Sequence, residues 1–402
     1  MIDRLNENAQ AFEVSENQAI VRYSFRLRPG KIAESRLNLE WNCARWVWNQ
    51  CVEAGNASLK LFHEGVKHEP PTFFRMCKNL TALRKENNWL SEGSVVVQQQ
   101  TVRKWYIAHQ QAFKQPALGF PKFKSSKISL PSLEYTFGRF SIKDGKLCLV
   151  GGISIQVVWS RTLPSVPKSC VITQNSEGHW NVSFVVRRDK ESFPESDDAI
   201  GIDWGVKEVA TTTDPAFDLP CGNQTKTHAD ALKLANRKLS RAKYGSKGRN
   251  KAKRCVARIH IRIAQQRKDR AFKWARKVVT KFGKIAVEDF KPNFLSKSTM
   301  AKKAKDGAIG MTKRILISMA EMAGRTVALV DPAYTTQDCS QCGARAKIRL
   351  TLSQRTFSCD TCGFTTGRDE NSARTIRARA GFTPANVDDV RLVHDFRCAQ
   401  AV

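Results

Sequence analysis

The sequence predicts a multidomain protein, α+β in its first half and α/β in its second. Three observations carry that reading. Alternating apolar segments flank a stretch of helical periodicity before residue 192, and short apolar strands alternate with helices after residue 199. Two CxxC pairs interrupt the second half near its end. The polar linker FPESDD, 193–198, is the clearest domain boundary.

Residues 17–29 alternate, with Val21, Tyr23, Phe25 and Leu27 on one face, and Pro29-Gly30 ends the strand. Over 31–57, Leu37, Trp41, Ala44, Trp48 and Cys51 recur at three- and four-residue steps, the signature of a helix. Two further helices are expected over 71–87 and 91–115. GFPKFKSSK, 119–127, reads as a tight basic turn, and strands follow from 128 to 188. Hairpin turns are expected at Asp144-Gly145 and Asn175–Gly178. The first half is therefore a small antiparallel barrel or sandwich carrying a helical insertion.

The second half opens on the strand AIGIDWG. A long basic helical stretch, 229–282, is broken at SKGRN, 246–250. KIAVEDF is a buried strand ending in two acids, and 293–310 reads as a mobile basic loop. ILISMAEMAGR gives a helix and TVALV a strand.

Charge narrows the function. Lys and Arg number 67 against 37 Asp and Glu, a net charge of +30. Solubility requires far less, and self-repulsion at this level favours a polyanionic partner. Spread over most of the chain, the excess suits a long nucleic-acid contact. Candidate contacts are Arg45, Arg75, Lys78, Arg84, Gln98, Gln99, Arg103, Lys122 and Lys124 in the first half. In the second half they are Arg237, Arg241, Arg267, Arg270, Arg345 and Lys347. No apolar run approaches a membrane span, and the polar, acidic start is unlike a secretory signal. No membrane association is expected, and the default location is the cytoplasm or nucleoid of a prokaryotic cell.

Of 12 cysteines, Cys339, Cys342, Cys359 and Cys362 form two CxxC pairs separated by sixteen residues. A glycine follows each pair, so two knuckles can present four thiolates tetrahedrally to one structural Zn²⁺. Such a site has no open position and does not catalyse. The other eight have no repeated spacing and read as reduced thiols, not a disulfide framework.

Three acids stand apart. Asp203 lies in the strand GIDWG, Glu288 ends the strand IAVE, and Asp369 opens the helix DENSARTIRARA. An acid in an apolar strand is costly unless it pairs or binds metal. Were the three to converge, they would hold hard divalent cations, Mg²⁺ foremost. A plainer reading stands beside this one: a turn residue, an ion-pair member and a helix cap.

GIDWGVK, VEDF and CxxC…CxxCGxxxxRDENSARTI together resemble the compact RNA-guided DNA endonucleases, TnpB and the miniature type V CRISPR effectors of the Cas12 group. The resemblance is sharp over 199–380 and looser over 17–190. It implies an RNase H-like (RuvC) nuclease with an inserted zinc ribbon, preceded by a β-barrel-like wedge domain with a helical insertion. The implied domains are a leader and first wedge strand (1–30), a helical recognition lobe (31–118) and the wedge (119–192). The nuclease occupies 193–334 and 367–381, the ribbon 335–366 and a tail 382–402; the loop 293–310 would act as a lid. Asp203, Glu288 and Asp369 become the catalytic acids, holding two Mg²⁺ ions, while Arg368 and Asn371 orient the substrate or the acid. The implied partners are a guide RNA, from a CRISPR repeat or a transposon end, and a target double-stranded DNA. The implied activity is cleavage after a short target-adjacent motif is recognised. An RNA-guided repressor that does not cut, or a guide-free transposon-associated nuclease, would share the fold.

Overall fold

The computed structural model of the chain describes residues 15, 17–292, 295, 298–348, 350–351 and 353–382, and the backbone of 390–392. The leader through residue 14, most of the tail after 382, and 293, 294, 296 and 297 of the expected loop lie outside the described residues. The chain divides into two compact units, one through Asp189 and one from Lys190.

In the first unit, β1 (Gln18–Arg28), β2 (Ser132–Thr136), β3 (Phe140–Lys143), β4 (Lys146–Leu149), β5 (Ile153–Val158), β6 (Ser169–Gln174) and β7 (Trp180–Asp189) form one antiparallel sheet. Its order is β2-β6-β7-β1-β5-β4-β3. Alternation sends Phe25, Leu27, Leu133, Tyr135, Ile155, Val182 and Phe184 into a single interior, giving a barrel-like body. Asp144 and Gly145 both take positive φ, 48° and 71°, as the two-residue turn between β3 and β4 requires.

Three long helices are inserted after β1, α1 (Lys31–His63), α2 (Phe73–Glu86) and α3 (Val95–Lys114), with a single helical turn at Asn88–Ser91 between the last two. α1 runs to His63, past the end expected at 57. It also serves two cores. Ala33, Leu37, Trp41 and Ala44 close the barrel interior, whereas Cys43, Val47, Cys51 and Val52 pack with Met76, Leu80, Val102 and Trp105. The segment 119–127 is tied to α1: the Trp48 indole donates to the Lys122 carbonyl at 2.9 Å, and Asn49 bonds both backbone groups of Lys124.

The second unit comprises β8 (Ala199–Trp204), β9 (Glu208–Thr212), β10 (Leu219–Pro220), α4 (Ala229–Arg241), α5 (Lys247–Lys281), β11 (Lys284–Glu288), α6 (Ala301–Gly307), α7 (Ile309–Met322) and β12 (Thr326–Val330). The short strands β13 (Thr356–Ser358) and β14 (Thr365–Gly367) pair with each other, and α8 (Arg368–Arg379) and β15 (Val390–Leu392) follow. The main sheet runs β10-β9-β8-β11-β12-β15, with β8, β11 and β12 parallel.

The two faces of this sheet differ in side-chain size. Ile200, Ile202, Ile285 and Val287 pack with Trp274, Val278 and Leu316 of α5 and α7. The opposite face carries a row of small residues, Gly201, Ala286 and Ala328, paired across three strands. α8 lies on that row. A Cβ at Gly201 would stand 2.0 Å from the Ala373 carbonyl oxygen, so only glycine admits the helix at this depth.

The expected mobile loop at 293–310 needs correction. Its second half is α6 and the start of α7, and it is anchored by buried Asp306. That carboxylate accepts from Arg267 Nε at 3.1 Å and from the Thr225 backbone N–H at 3.1 Å. A buried ion pair with this many bonds fixes the segment instead of leaving it free. Among the described residues, no helix is long and apolar enough to cross a membrane.

Candidate active site and metal centre

The small-residue face sets up the acidic site. Ile202 pairs with Val287, so Asp203 and Glu288 are the next pair along, two residues beyond Gly201 and Ala286 on the face that α8 covers. Their side chains are hydrogen-bonded to each other, and the Trp204 backbone N–H also bonds Glu288. Burial and the neighbouring charges of Glu288 and Asp369 push the Asp203 carboxyl well above the usual range. Burial pushes Glu288 up to about 7, against the opposing pull of those hydrogen bonds and of Lys313. Burial and mutual repulsion thus both favour the protonated forms of the pair. Asp289, the second acid of VEDF, is instead bound by Lys313 at 2.8 Å.

Asp369 sits in the first turn of α8, near enough for its charge to act on Asp203. Its Oδ1 accepts from Arg368 Nε at 2.9 Å and Nη2 at 2.8 Å, and its Oδ2 lies 3.6 Å from Arg355 Nη1. The third acid is thus held by arginines while the other two hold each other. Hard carboxylate oxygens are the ligand type Mg²⁺ prefers, yet among the described residues the three acids do not gather their oxygens as the four cysteines gather their sulfurs.

Asn371 departs from the expected role beside substrate or acid. It is fully buried and faces the first cysteine knuckle, accepting from Ser340 N–H at 3.0 Å and donating to the Asp338 carbonyl at 2.8 Å. Arg368 does hold the acid, and also reaches the carbonyls of Thr351 and Gln354.

Among the described residues, the four cysteines are the one group whose side-chain donors gather as a metal site, with all four sulfurs within 4.8 Å of one another. Cys339 to Cys362 and Cys342 to Cys359 are each 3.7 Å apart. Tetrahedral zinc–thiolate bonds of about 2.3 Å place sulfurs roughly 3.8 Å apart, so the spacing fits Zn²⁺. Gly343 and Gly363 take φ of 76° and 73°, and their N–H groups return to the Cys339 and Cys359 carbonyls. The Cys362 N–H holds the Cys359 thiol down at about 6.

The expected nucleic-acid contacts divide. Lys78, Gln99, Lys122, Arg237, Arg241 and Lys347 are exposed, as is Arg103, which lies over Phe73. Three others are committed to the fold. Arg84 ties the carbonyls of Leu90 and Gly93 to buried Gln98, and Arg267 holds Asp306. Arg45 is half-buried, and Arg270 donates to the Pro220 carbonyl. Arg75 pairs with Glu69, Arg345 pairs with Asp338, and Lys124 sits 3.6 Å over the Trp48 ring. Burial beside Lys104 lowers Lys124 to about 8. Sequence reasoning had no signal for Asp338, which also pairs with Arg379 and whose carbonyl receives Asn371.

Two family models match. The IS605 OrfB model, described as "Probable transposase", covers residues 183–299, and the Cas12f1-like TNB domain model covers 310–376. A Streptomyces pristinaespiralis protein named as a candidate RNA-guided DNA endonuclease is 28% identical over 92% of this chain and 91% of its own. Escherichia coli InsQ, named in the same terms, is 28% identical over 89% of this chain and 91% of its own. Cas12f1 of Sulfoacidibacillus thermotolerans is 41% identical over 61 residues, 15% of this chain and 14% of its own. The Cas12f1 chain in a cryo-EM structure of a Cas12f1–sgRNA–target DNA complex superposes with a TM-score of 0.53 at 13% identity, covering 92% of this chain and 99% of that one.

Proposed function

For this chain, a homologue of the TnpB and Cas12f1 families, we propose the activity of an RNA-guided DNA endonuclease that hydrolyses phosphodiester bonds at Asp203, Glu288 and Asp369. The observation that carries this reading is the pairing of partly buried Asp203 with buried Glu288, aligned on two parallel strands under the helix that bears Asp369. The strand order, three antiparallel strands followed by two parallel additions, supports an RNase H-like (RuvC) reading of the second unit. Mg²⁺ held by the three carboxylates, two ions in the expected arrangement, would activate water and stabilise the leaving oxygen.

The chain's own groups do the rest. Asp203, Glu288 and Asp369 would hold the cation, and its positive charge would offset the repulsion that raises the proton affinity of Asp203 and Glu288. Arg368 fixes Asp369 at the helix start. The zinc module, bolted to α8 through Asn371, carries exposed Lys347, suited to contact the target strand. The relatives named as RNA-guided enzymes, together with the +30 charge, support a guide RNA and target double-stranded DNA as partners. Base pairing then supplies sequence choice while the protein grips backbone and reads a short adjacent motif.

The test purifies the chain with its co-expressed RNA, sequences that RNA, and compares Asp203→Ala with the parent on a matching duplex. Cleavage should fall at least about 10³-fold with target binding retained. Cutting that survives the substitution would defeat the assignment. Binding without cutting by the parent would identify a repressor, and cutting without RNA a guide-free nuclease.

A further inference from the structure

The third carboxylate is engaged on both oxygens, and its two arginines are held very differently. Arg368 is 11% exposed and covers Oδ1 with two short bonds. It is fixed from behind, because Nη1 reaches the Thr351 and Gln354 carbonyls and its own N–H donates to the Arg355 carbonyl at 2.8 Å. Arg355 precedes β13 in the zinc module, is 48% exposed, and stands 3.6 Å from Oδ2. That separation is longer than a hydrogen bond and marks a weak, half-solvated ion pair. Oδ2 is the oxygen Arg368 leaves free for a cation, and Arg355 covers it. The nearby Glu370 is no competing partner for Arg355, since it is bound by Arg374 at 2.6 Å and Thr366 at 2.8 Å.

We propose that Arg355 is a phosphate-responsive latch: it caps Asp369 in the free protein and moves to a backbone phosphate when a DNA strand engages the zinc module, freeing Oδ2 for the divalent cation. This rests on the carboxylate site proposed above. A guanidinium exchanges a carboxylate for a phosphate with little change in its own hydrogen bonding, because both offer paired oxygens to its planar fork. The exchange links two events by reciprocity: bound DNA tightens cation binding, and bound cation tightens DNA binding. Arg355 needs only a side-chain rotation to make it, whereas Arg368 would have to break its bonds to the ribbon backbone.

The experiment measures Mn²⁺ binding by electron paramagnetic resonance on the full-length, zinc-loaded protein. It compares the parent, Arg355→Gln and Asp203→Asn, each alone, with a twelve-nucleotide oligothymidylate, and with its uncharged methylphosphonate analogue. Arg355→Gln should bind Mn²⁺ about two- to five-fold tighter without DNA, the range a half-exposed ion pair spans. Its enhancement by oligothymidylate should shrink by the same factor, and the methylphosphonate should produce none in either protein. Arg355→Gln matching the parent in both respects overturns the latch. Asp203→Asn separates the two ideas: if it abolishes Mn²⁺ binding, the carboxylate site stands whatever Arg355 does. If it leaves Mn²⁺ binding intact, the site itself is misassigned and the latch falls with it.

Discussion

Replacing Glu288 by glutamine removes a charge that burial resists. The folded protein pushes this carboxyl from 4.5 up to about 7. Every tenfold rise in proton affinity is worth about 1.36 kcal/mol, so keeping the group ionised costs about 3 kcal/mol of stability. Because the value is raised, the penalty falls on the alkaline side. Below pH 4.5 the group is protonated folded or unfolded and costs nothing; the penalty grows as pH rises and is complete above about 7. Without divalent cations, Glu288→Gln should therefore match the parent at about pH 3.5 and exceed it by up to about 3 kcal/mol at about pH 8. Urea unfolding of zinc-loaded protein in Chelex-treated buffer, read by protection of β8 and β11 peptides, measures this without contribution from the first unit. Adding Mg²⁺ at the higher pH should close the gap by stabilising the parent. An equal gain at both pH values, or none at the higher one, would refute the claim that the acid is held against repulsion.

Gly201→Ala would drive a methyl into the Ala373 carbonyl, and shifting α8 should cost roughly 1–3 kcal/mol and slow cleavage more than target binding; thermal melts and paired cleavage and binding assays check it. Asn371→Ala leaves the Ser340 N–H without its buried acceptor and the Asp338 carbonyl with only the Thr375 hydroxyl at 3.3 Å, a loss of about 1–3 kcal/mol. Limited proteolysis should then cut more readily within 338–367 while zinc content stays at one per chain. Cys359→Ser should release the zinc, measured by atomic absorption, and unfold the β13–β14 hairpin, whose apolar core is little more than Phe357, Leu350 and Phe364.

Much of this was legible in the residues because each signal was local. The DG pair demanded positive φ at two successive positions, and the alternation in β5 and β7 fixed which side faced inward. The cysteine spacing announced its own geometry. Glu288 was conspicuous because it closes the apolar run IAV, with no lysine or arginine before it nearer than Lys284. What stayed hidden depends on long-range pairing. Arg84, Arg267 and Lys124 look like any other cations in a basic chain, yet two clamp backbone or acid and the third rests on an indole. Asp306 lay in a lysine-rich run and read as loop until Arg267, 39 positions earlier, supplied its partner. Asn371 shows the same limit: its place beside Asp369 in sequence suggested chemistry, but helical geometry turns it toward the knuckle.

The double duty of α1 has a mechanical consequence. At 33 residues and about 1.5 Å per residue, it is a rod about 50 Å long whose one end is part of the barrel's interior and whose middle is the spine of the helical insertion. No flexible joint lies between those stretches, because one unbroken ladder of hydrogen bonds runs through both. A load applied to the insertion is transmitted to the barrel along the rod and cannot be absorbed by a hinge. In hydrogen exchange, the amides of Leu37 and Val47 should open together, as members of one cooperative block.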